Sequence, residues 1–242
     1  MFDRIAGVYD LLNGAMTAGL HHRWRARAAE EARVGPGSRI LDVATGTGDL
    51  AIELARRVSP GGEVVGADFS EGMLDRARRK AGTPSGEDRV RPRFEWADAL
   101  ALPYPDDRFD AATVGFGVRN FDDLARGLAE MVRVVRPGGR VVVLEMTTPR
   151  RPPLSVFFGL WFDRIVPALG RLTGALAVLS GRGDAAIANA YSYLPSSVKR
   201  FPGPAALAAE LERAGLEEVR YVITAGGIVA IHAGTVVGER AS

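Results

Sequence analysis

Three aspartates mark out the chemistry of this chain, each standing where a buried strand would end: Asp42 before Gly46-Thr47-Gly48, Asp68 after Val64-Val65-Gly66-Ala67, and Asp98 after Phe94-Glu95-Trp96-Ala97. In a doubly wound parallel sheet such ends converge on one crevice. Gly46 and Gly48 let the backbone turn tightly and approach a ligand. Leu50, Ala51, Leu54 and Ala55 follow at helical spacing, so the turn delivers that ligand to a helix N-terminus, where N–H groups attract anionic or polar groups. Taken alone, Gly46-x-Gly48-x-x-Ala51 also satisfies the relaxed dinucleotide fingerprint, and an ordinary tight strand-to-helix turn would share it. Asp42 separates these readings. An acid there repels a pyrophosphate but can reach the amino end of S-adenosylmethionine. Asp68 is placed to accept both ribose hydroxyls of an adenosine. Asp98 is placed to accept from the adenine amino group, with Leu100 and Leu102 against the ring.

The elements that must carry these acids are legible in the pattern. Ile40, Leu41 and Val43 form the continuous apolar run of a strand covered on both faces. Gly61-Gly62 turns into a second strand, Glu63 to Asp68, and Ser70 caps a helix through Met73, Leu74 and Ala77. Strands follow over Val90 to Trp96 and over Phe109 to Gly117, where Gly115 lies at a glycine-rich end that opens into Val118-Arg119-Asn120. Leu124 to Val135 reads as an amphipathic helix, Pro137-Gly138-Gly139 as a turn, and Arg140 to Met146 as a fifth strand with Glu145 near its end. Ala205 to Ala214 is helical, and Leu216 to Thr224 with Gly226 to His232 forms a terminal hairpin. The fold class is therefore α/β: a Rossmann-like, seven-stranded, mostly parallel sheet with one antiparallel strand and helices on both faces.

A chain of 242 residues with 47% hydrophobic content can bury one good core, so residues 1–242 read as a single domain. It carries a helical lid over about residues 1–34 and a helical, substrate-side insertion over about 150–200. In the first of these, Ile5, Val8, Tyr9 and Leu12 share a face, with Tyr9 turned toward the ligand; the alternative is a helix packed on the sheet edge. In the second, Leu154, Phe158, Trp161, Ile165, Leu169, Leu172 and Leu176 form a stripe kinked by Pro167. That stripe is either packed on the core or an apolar wall for a greasy substrate. Asp163, Arg164 and Arg171 interrupt it, so no span of ~20 apolar residues exists. A net charge of +2 from 31 basic and 29 acidic residues gives little support to a nucleic-acid partner. The absence of cysteine excludes thiolate catalysis, disulfides and thiolate metal sites. The N-terminus shows no signal peptide, which points to the cytoplasm.

The chain resembles the class I S-adenosylmethionine-dependent methyltransferases, and within them the menaquinone and ubiquinone C-methyltransferase family, over nearly its full length. The general marks are the Asp42 to Gly48 turn, Asp68 and Asp98-Ala99. More specific are Phe2-Asp3-x-Ile5-Ala6 with Tyr9-Asp10-Leu11-Leu12-Asn13, Leu41 to Asp49, Phe116-Gly117-Val118-Arg119-Asn120, Tyr191-x-Tyr193-Leu194-Pro195-x-Ser197-Val198, and Gly226 to His232 with Gly234. The resemblance implies methyl transfer to a ring carbon of a demethylated polyprenyl quinol, most often demethylmenaquinol, with S-adenosylmethionine as cofactor. It implies cofactor contacts at Thr47, Asp68, Asp98, Ala99 and near Gly115. Met146-Thr147-Thr148-Pro149 stands where the family usually has a phenylalanine and a serine before the proline, and Gly14-Ala15-Met16 replaces a commonly more polar stretch; both lie on the acceptor side. The implied partners are the quinol and, transiently, the inner face of the membrane. No nucleic acid and no metal is expected, and a homodimer is left open.

The sulfonium methyl is already activated, so the protein must align the acceptor carbon and make it electron rich. Arg119 and Asn120 are the candidates to stabilise a phenolate or hold a water, with Tyr9 and His232 behind them. Arg119 stays protonated and is not a direct base. His21 and His22 read as a solvated loop pair, and His232 equally well as a satisfied core histidine. Three other readings remain. A benzoquinol or other small-molecule methyltransferase has the same cofactor site. A nucleic-acid amino methyltransferase lacks its Pro-Pro-aromatic signature between Gly115 and Asn120, and a scaffold that kept the fold without turnover would bind cofactor and transfer nothing.

Overall fold

The computed structural model describes residues 19–82, 89–149, 152–160, 164 and 197–238. The predicted leading face with Tyr9, and the stripe residues from Trp161 to Leu176, lie outside the described residues. Helix α1 (Leu20–Glu31) precedes β1 (Arg39–Val43), α2 (Asp49–Val58), β2 (Glu63–Asp68), α3 (Glu71–Ala81), β3 (Arg93–Trp96) and β4 (Phe109–Gly115). A 3-10 turn over Val118–Asn120 leads to α4 (Leu124–Val134) and β5 (Val135–Met146). Then come α5 (Leu154–Leu160), α6 (Pro204–Arg213), β6 (Leu216–Thr224) and β7 (Val229–Val236).

The strands form one sheet in the order β3-β2-β1-β4-β5-β7-β6. All pair in parallel except β7, which runs antiparallel to both β5 and β6, as the terminal hairpin predicted. Val43 is level with Ala67 on one side and Val114 on the other, so β1, β2 and β4 end together. The order reverses between β1 and β4, and ligands of open α/β sheets bind at such a switch point.

Period-two alternation sorts the strand side chains into two cores. Ile40, Val64, Phe94, Ala111, Val142 and Leu144 meet Ala28 and Ala29 of α1, Leu50, Leu54 and Val58 of α2, and Leu74 of α3. Leu41, Val65, Ala112, Val141 and Val143 meet Leu128 and Met131 of α4 and Leu207 and Leu211 of α6. Helix α3 starts as predicted, with the Ser70 hydroxyl accepting from Met73 N at 3.3 Å. Helix α2 starts on Gly48 at φ 82°, where an added Cβ would lie 2.8 Å from Phe94 Cζ and 2.9 Å from Ala77 Cβ. Only glycine satisfies both the left-handed backbone and the close approach of α3 and β3.

Candidate cofactor site at the switch point

Beyond the ends of β1, β2 and β4 lies a cavity of about 430 Å³, within the range that encloses a small-molecule ligand. Asp42, Gly46, Thr47, Asp68, Asp98, Ala99, Gly115 and Asn120 of the predicted residues all line it.

Asp42 is almost fully buried. Because β1 and β4 pair in register, Asp42 stands beside Thr113, and the Thr113 hydroxyl donates to Asp42 Oδ1 at 2.6 Å. The Thr45 hydroxyl donates to Oδ2, also at 2.6 Å. Burial dominates these bonds and pushes the Asp42 carboxyl up to about 6. Such a group is ready for a cationic partner that would replace the hydration it has lost. Asp68 accepts from Gly46 N at 2.8 Å and Ser70 N at 2.9 Å, which ties the glycine turn to the end of β2. These contacts orient Asp68 in the cavity wall. Asp98 closes its own turn by accepting from Leu100 N at 2.9 Å. Gly46, at φ 57°, has nothing within 4 Å of where a Cβ would stand, so its bare backbone faces open space in the cavity wall.

The strand ends are shaped by two non-glycine residues in the left-handed region, Ala44 at φ 50° and Phe116 at φ 60°. Such backbone costs of order 1 to 3 kcal/mol and gathers at ligand sites. After Phe116 the chain folds into the Val118–Asn120 turn, which presents Asn120 to the cavity. Arg119 points the other way. Its Nη1 donates to Glu145 Oε1 at 2.5 Å and to the Phe116 carbonyl at 2.7 Å, and neither Arg119 nor Glu145 lines the cavity. Glu145 also accepts from Met146 N at 2.7 Å, so the buried pair fastens the β4 turn to the end of β5. Arg119 thus meets Glu145 and the Phe116 carbonyl and is not itself part of the cavity wall.

His232 lies away from the cavity. It is 1% exposed in the middle of β7, Nε2 lies 2.9 Å from the Pro204 carbonyl of α6, and the Tyr221 ring is 5.2 Å away. Burial holds its pKa below the ordinary value, and it is a core histidine paired through Nε2 alone, its Nδ1 buried without a hydrogen bond. The predicted loop pair at 21 and 22 is corrected too: both belong to α1, with His21 buried and His22 exposed, because α1 begins at Leu20.

Several residues of the site carry no role in the sequence pattern alone. Thr113 is an isolated hydroxyl in the apolar run Ala111-Ala112-Thr113-Val114, a signal for a buried polar partner. Phe69, Met73 and Trp96 complete the wall near Asp68 and Asp98, with Trp96 Nε1 donating to the Phe69 carbonyl at 2.9 Å. Arg25 lines the cavity from α1; its signal is one arginine on the face otherwise made by Ala28, Ala29 and Ala32.

Among the described residues, five aspartates and one cationic side chain, Arg25, line the cavity. A doubly charged pyrophosphate would be repelled there, whereas a ligand with net positive charge is favoured. Asp42, Asp68 and Asp98 sit in the order that an amino group, a ribose and an adenine require, and S-adenosylmethionine carries all three on a cationic sulfonium. The chain matches the ubiE/COQ5 methyltransferase family over residues 1–236. It belongs to that family.

Its relatives include the demethylmenaquinone methyltransferase of Thermus thermophilus, 48% identical over 97% of this chain and 99% of the relative. The ubiquinone/menaquinone biosynthesis C-methyltransferase UbiE of Geobacter sulfurreducens is 40% identical over 97% of this chain and 86% of the relative. Among solved structures, a SAM-dependent methyltransferase from Aquifex aeolicus superposes with a TM-score of 0.61 at 18% identity, over 88% of this chain and 89% of that one. The last likeness is one of fold. This member of the ubiE/COQ5 family is an S-adenosylmethionine-dependent methyltransferase, and its switch-point cavity fits that cofactor in charge, donor set and open backbone.

Proposed function

We propose that this enzyme methylates a ring carbon of a demethylated polyprenyl quinol, demethylmenaquinol before a benzoquinol. The observation that carries the choice is the 48% identity to a protein named demethylmenaquinone methyltransferase along nearly the whole of both chains. A second such relative, from Deinococcus radiodurans, is 46% identical over 97% of this chain. Bound S-adenosylmethionine supplies the activated methyl group. Asp42 would receive its ammonium, Asp68 its ribose, and Asp98 with Ala99, Leu100 and Leu102 its adenine; Gly46, Thr47 and Gly115 line the same cavity, whereas the predicted Gly48 does not line it and serves by its turn against Phe94 and Ala77.

Asn120 is the polar side chain that the 118–120 turn offers to the acceptor. It can hold a quinol hydroxyl, or a water beside it, as that hydroxyl gives up its proton and the ring carbon becomes nucleophilic. The ring proton displaced by methylation would pass to water held beside Asn120 and so to solvent. Arg119 serves through Glu145 and the Phe116 carbonyl by fixing the turn. Tyr9 is proposed as a second acceptor-side group, carried by a lid over residues 1–34, and residues 150–200 as the apolar substrate side. In support, Phe158 of α5 is buried beside Val198, Met146 and Ile228, while Val156 and Leu160 one helical turn apart are 69% and 48% exposed. An acceptor with a polyprenyl tail must be drawn from a bilayer, so transient contact with the membrane surface is part of the proposal. Among the described residues no helix is long and apolar enough to cross a membrane.

The test is methyl transfer from labelled S-adenosylmethionine to reduced demethylmenaquinone and to a demethylated ubiquinone precursor in detergent, with mass analysis of the lipid. A ring-methylated naphthoquinol is expected. Faster transfer to the benzoquinol reverses the substrate order, and cofactor binding without transfer to either leaves the scaffold reading.

A further inference from the structure

The methionyl end of the cofactor is a zwitterion, and Asp42 answers only its ammonium. The carboxylate needs a cation or a set of N–H donors in a cavity otherwise walled by five aspartates. Among the described residues Arg25 is the cationic side chain of that lining, 8% exposed. Its place is fixed from two directions. The guanidinium carbon lies 6.0 Å from the centroid of the Phe116 ring, and Trp24 packs edge-on against the same ring at 6.3 Å. Arg25 Nη1 approaches Asp49 Oδ2 at 3.1 Å. The direction is wrong for a hydrogen bond, and Nη1 is a buried nitrogen that makes none. A buried guanidinium nitrogen without a hydrogen bond is costly, by an amount an incoming acceptor would recover.

Asp49 does not depend on Arg25 for neutralisation. Lys80 of α3 reaches Asp49 Oδ1 at 2.5 Å, and Lys80 does not line the cavity. Two cations therefore share one carboxylate at the first residue of α2, beside the Gly46–Gly48 turn. The positive charge in excess faces the cavity through Arg25. Asp42 and Arg25 line the same cavity and are close enough for the guanidinium to bear on the carboxylate's charge.

We propose that Arg25 is a cofactor-binding residue that holds the α-carboxylate of S-adenosylmethionine, with Asp42 taking the ammonium. α1 thereby becomes part of the cofactor site, and the amino-acid half of the ligand is read by an acid on β1 and a base on α1. This rests on the cofactor alone and is independent of the acceptor.

The experiment is calorimetric titration of three ligands into the intact protein: S-adenosylhomocysteine, its decarboxylated analogue, and 5′-methylthioadenosine. Wild type is expected to bind S-adenosylhomocysteine about 10- to 100-fold more tightly than the decarboxylated analogue. In Arg25→Gln that preference is expected to fall to within about threefold, while affinity for 5′-methylthioadenosine stays within about twofold. Arg25→Lys, which keeps the charge without the planar fork, is expected to fall between. Equal loss for all three ligands in Arg25→Gln, or a wild type that does not discriminate against the decarboxylated analogue, overturns the assignment; the second needs no variant. Failure of wild type to bind any of the three overturns the cofactor reading along with it, whereas a failed quinol assay leaves these affinities unchanged.

Discussion

Replacing Asp42 by asparagine should raise the stability of the ligand-free protein relative to wild type as the pH rises, from a net loss at low pH, and at the same time weaken cofactor binding. In the folded chain burial lifts the Asp42 carboxyl from an ordinary 3.8 to about 6, so between those values the native state binds more protons than the unfolded state. Wild-type stability therefore falls as pH rises through that window, and the deficit is complete above about 7. At about 1.36 kcal/mol per pH unit the displacement is worth ~3 kcal/mol. The asparagine of the variant carries no such charge but cannot accept from both hydroxyls; leaving the fully buried Thr113 hydroxyl without its acceptor costs about 1 to 3 kcal/mol at every pH. The two contributions differ in pH dependence, which separates them. The stability of Asp42→Asn relative to wild type should rise by ~3 kcal/mol between pH 4 and pH 8, from net destabilised to near parity or better. Denaturant unfolding at half-unit pH intervals on ligand-free protein reads this difference directly, and contributions from His232 cancel because both proteins share it. A relative stability that is flat with pH, or that falls, would refute the claim that Asp42 is a desolvated carboxylate held for a cationic ligand. The binding arm is a loss of about 30-fold or more in affinity for S-adenosylhomocysteine at pH 8, the weight of a charge-assisted contact.

Asn120→Ala should lower kcat for methyl transfer by about 10- to 1000-fold with S-adenosylhomocysteine affinity within about twofold, since Asn120 is assigned to the acceptor and not to the cofactor; equal loss in both would move it to the cofactor side. Gly48→Ala should cost roughly 2 kcal/mol or more, because the new Cβ meets Phe94 and Ala77 at φ 82°. Gly46→Ala, at φ 57° with open space around it, should cost only about 1 kcal/mol of backbone strain, so thermal melts should rank the two glycines in that order. His232→Leu should leave methyl transfer within about twofold. Since burial lowers the His232 pKa, wild type loses stability as pH falls below about 6.5, where the unfolded histidine takes a proton. The leucine variant should lack that acid-side loss, and denaturant midpoints at pH 5 and pH 7.5 would show it.

Alternation, helical spacing and turn chemistry are local properties, and what rests on them could be read from the chain. The buried run Ile40-Leu41-x-Val43, the Ser70 cap and the Gly46 and Gly48 turn stand where the residues put them, because each is set by neighbours within a few positions; the terminal hairpin forms, but its last strand runs over Val229–Val236 rather than Gly226 to His232, the two glycines making the 3-10 turn before it. The three strand-end aspartates were legible for the same reason: a strand ending in an acid is a local pattern, and the parallel sheet brings such ends together. Boundaries were less so. β3 begins at Arg93 rather than Val90, and β5 reaches back to Val135 through the Pro137-Gly138-Gly139 irregularity, since the pairing partner, not the strand's own residues, decides where a ladder starts.

What only the tertiary structure decided concerns pairs distant in the chain. The partners of Asp42 follow from the register of β1 on β4, which sets Thr113 beside it across 71 positions. Arg119 and His232, both chemically able, meet Glu145 and the Pro204 carbonyl once β5, β7 and α6 pack, partners that no local pattern in the sequence announces. Arg25 shows the converse. Its one local signal is an arginine on an alanine face, which does not say what it meets; packing of α1 against α2 and the end of β4 leaves it, among the described residues, as the cation of an acidic cavity. The sequence by itself determined the architecture and the kind of cofactor, because both are written in short-range patterns of residue type. Which polar side chains face that cofactor, and which are spent holding the walls in place, was fixed by long-range packing, where each buried charge must find its partner.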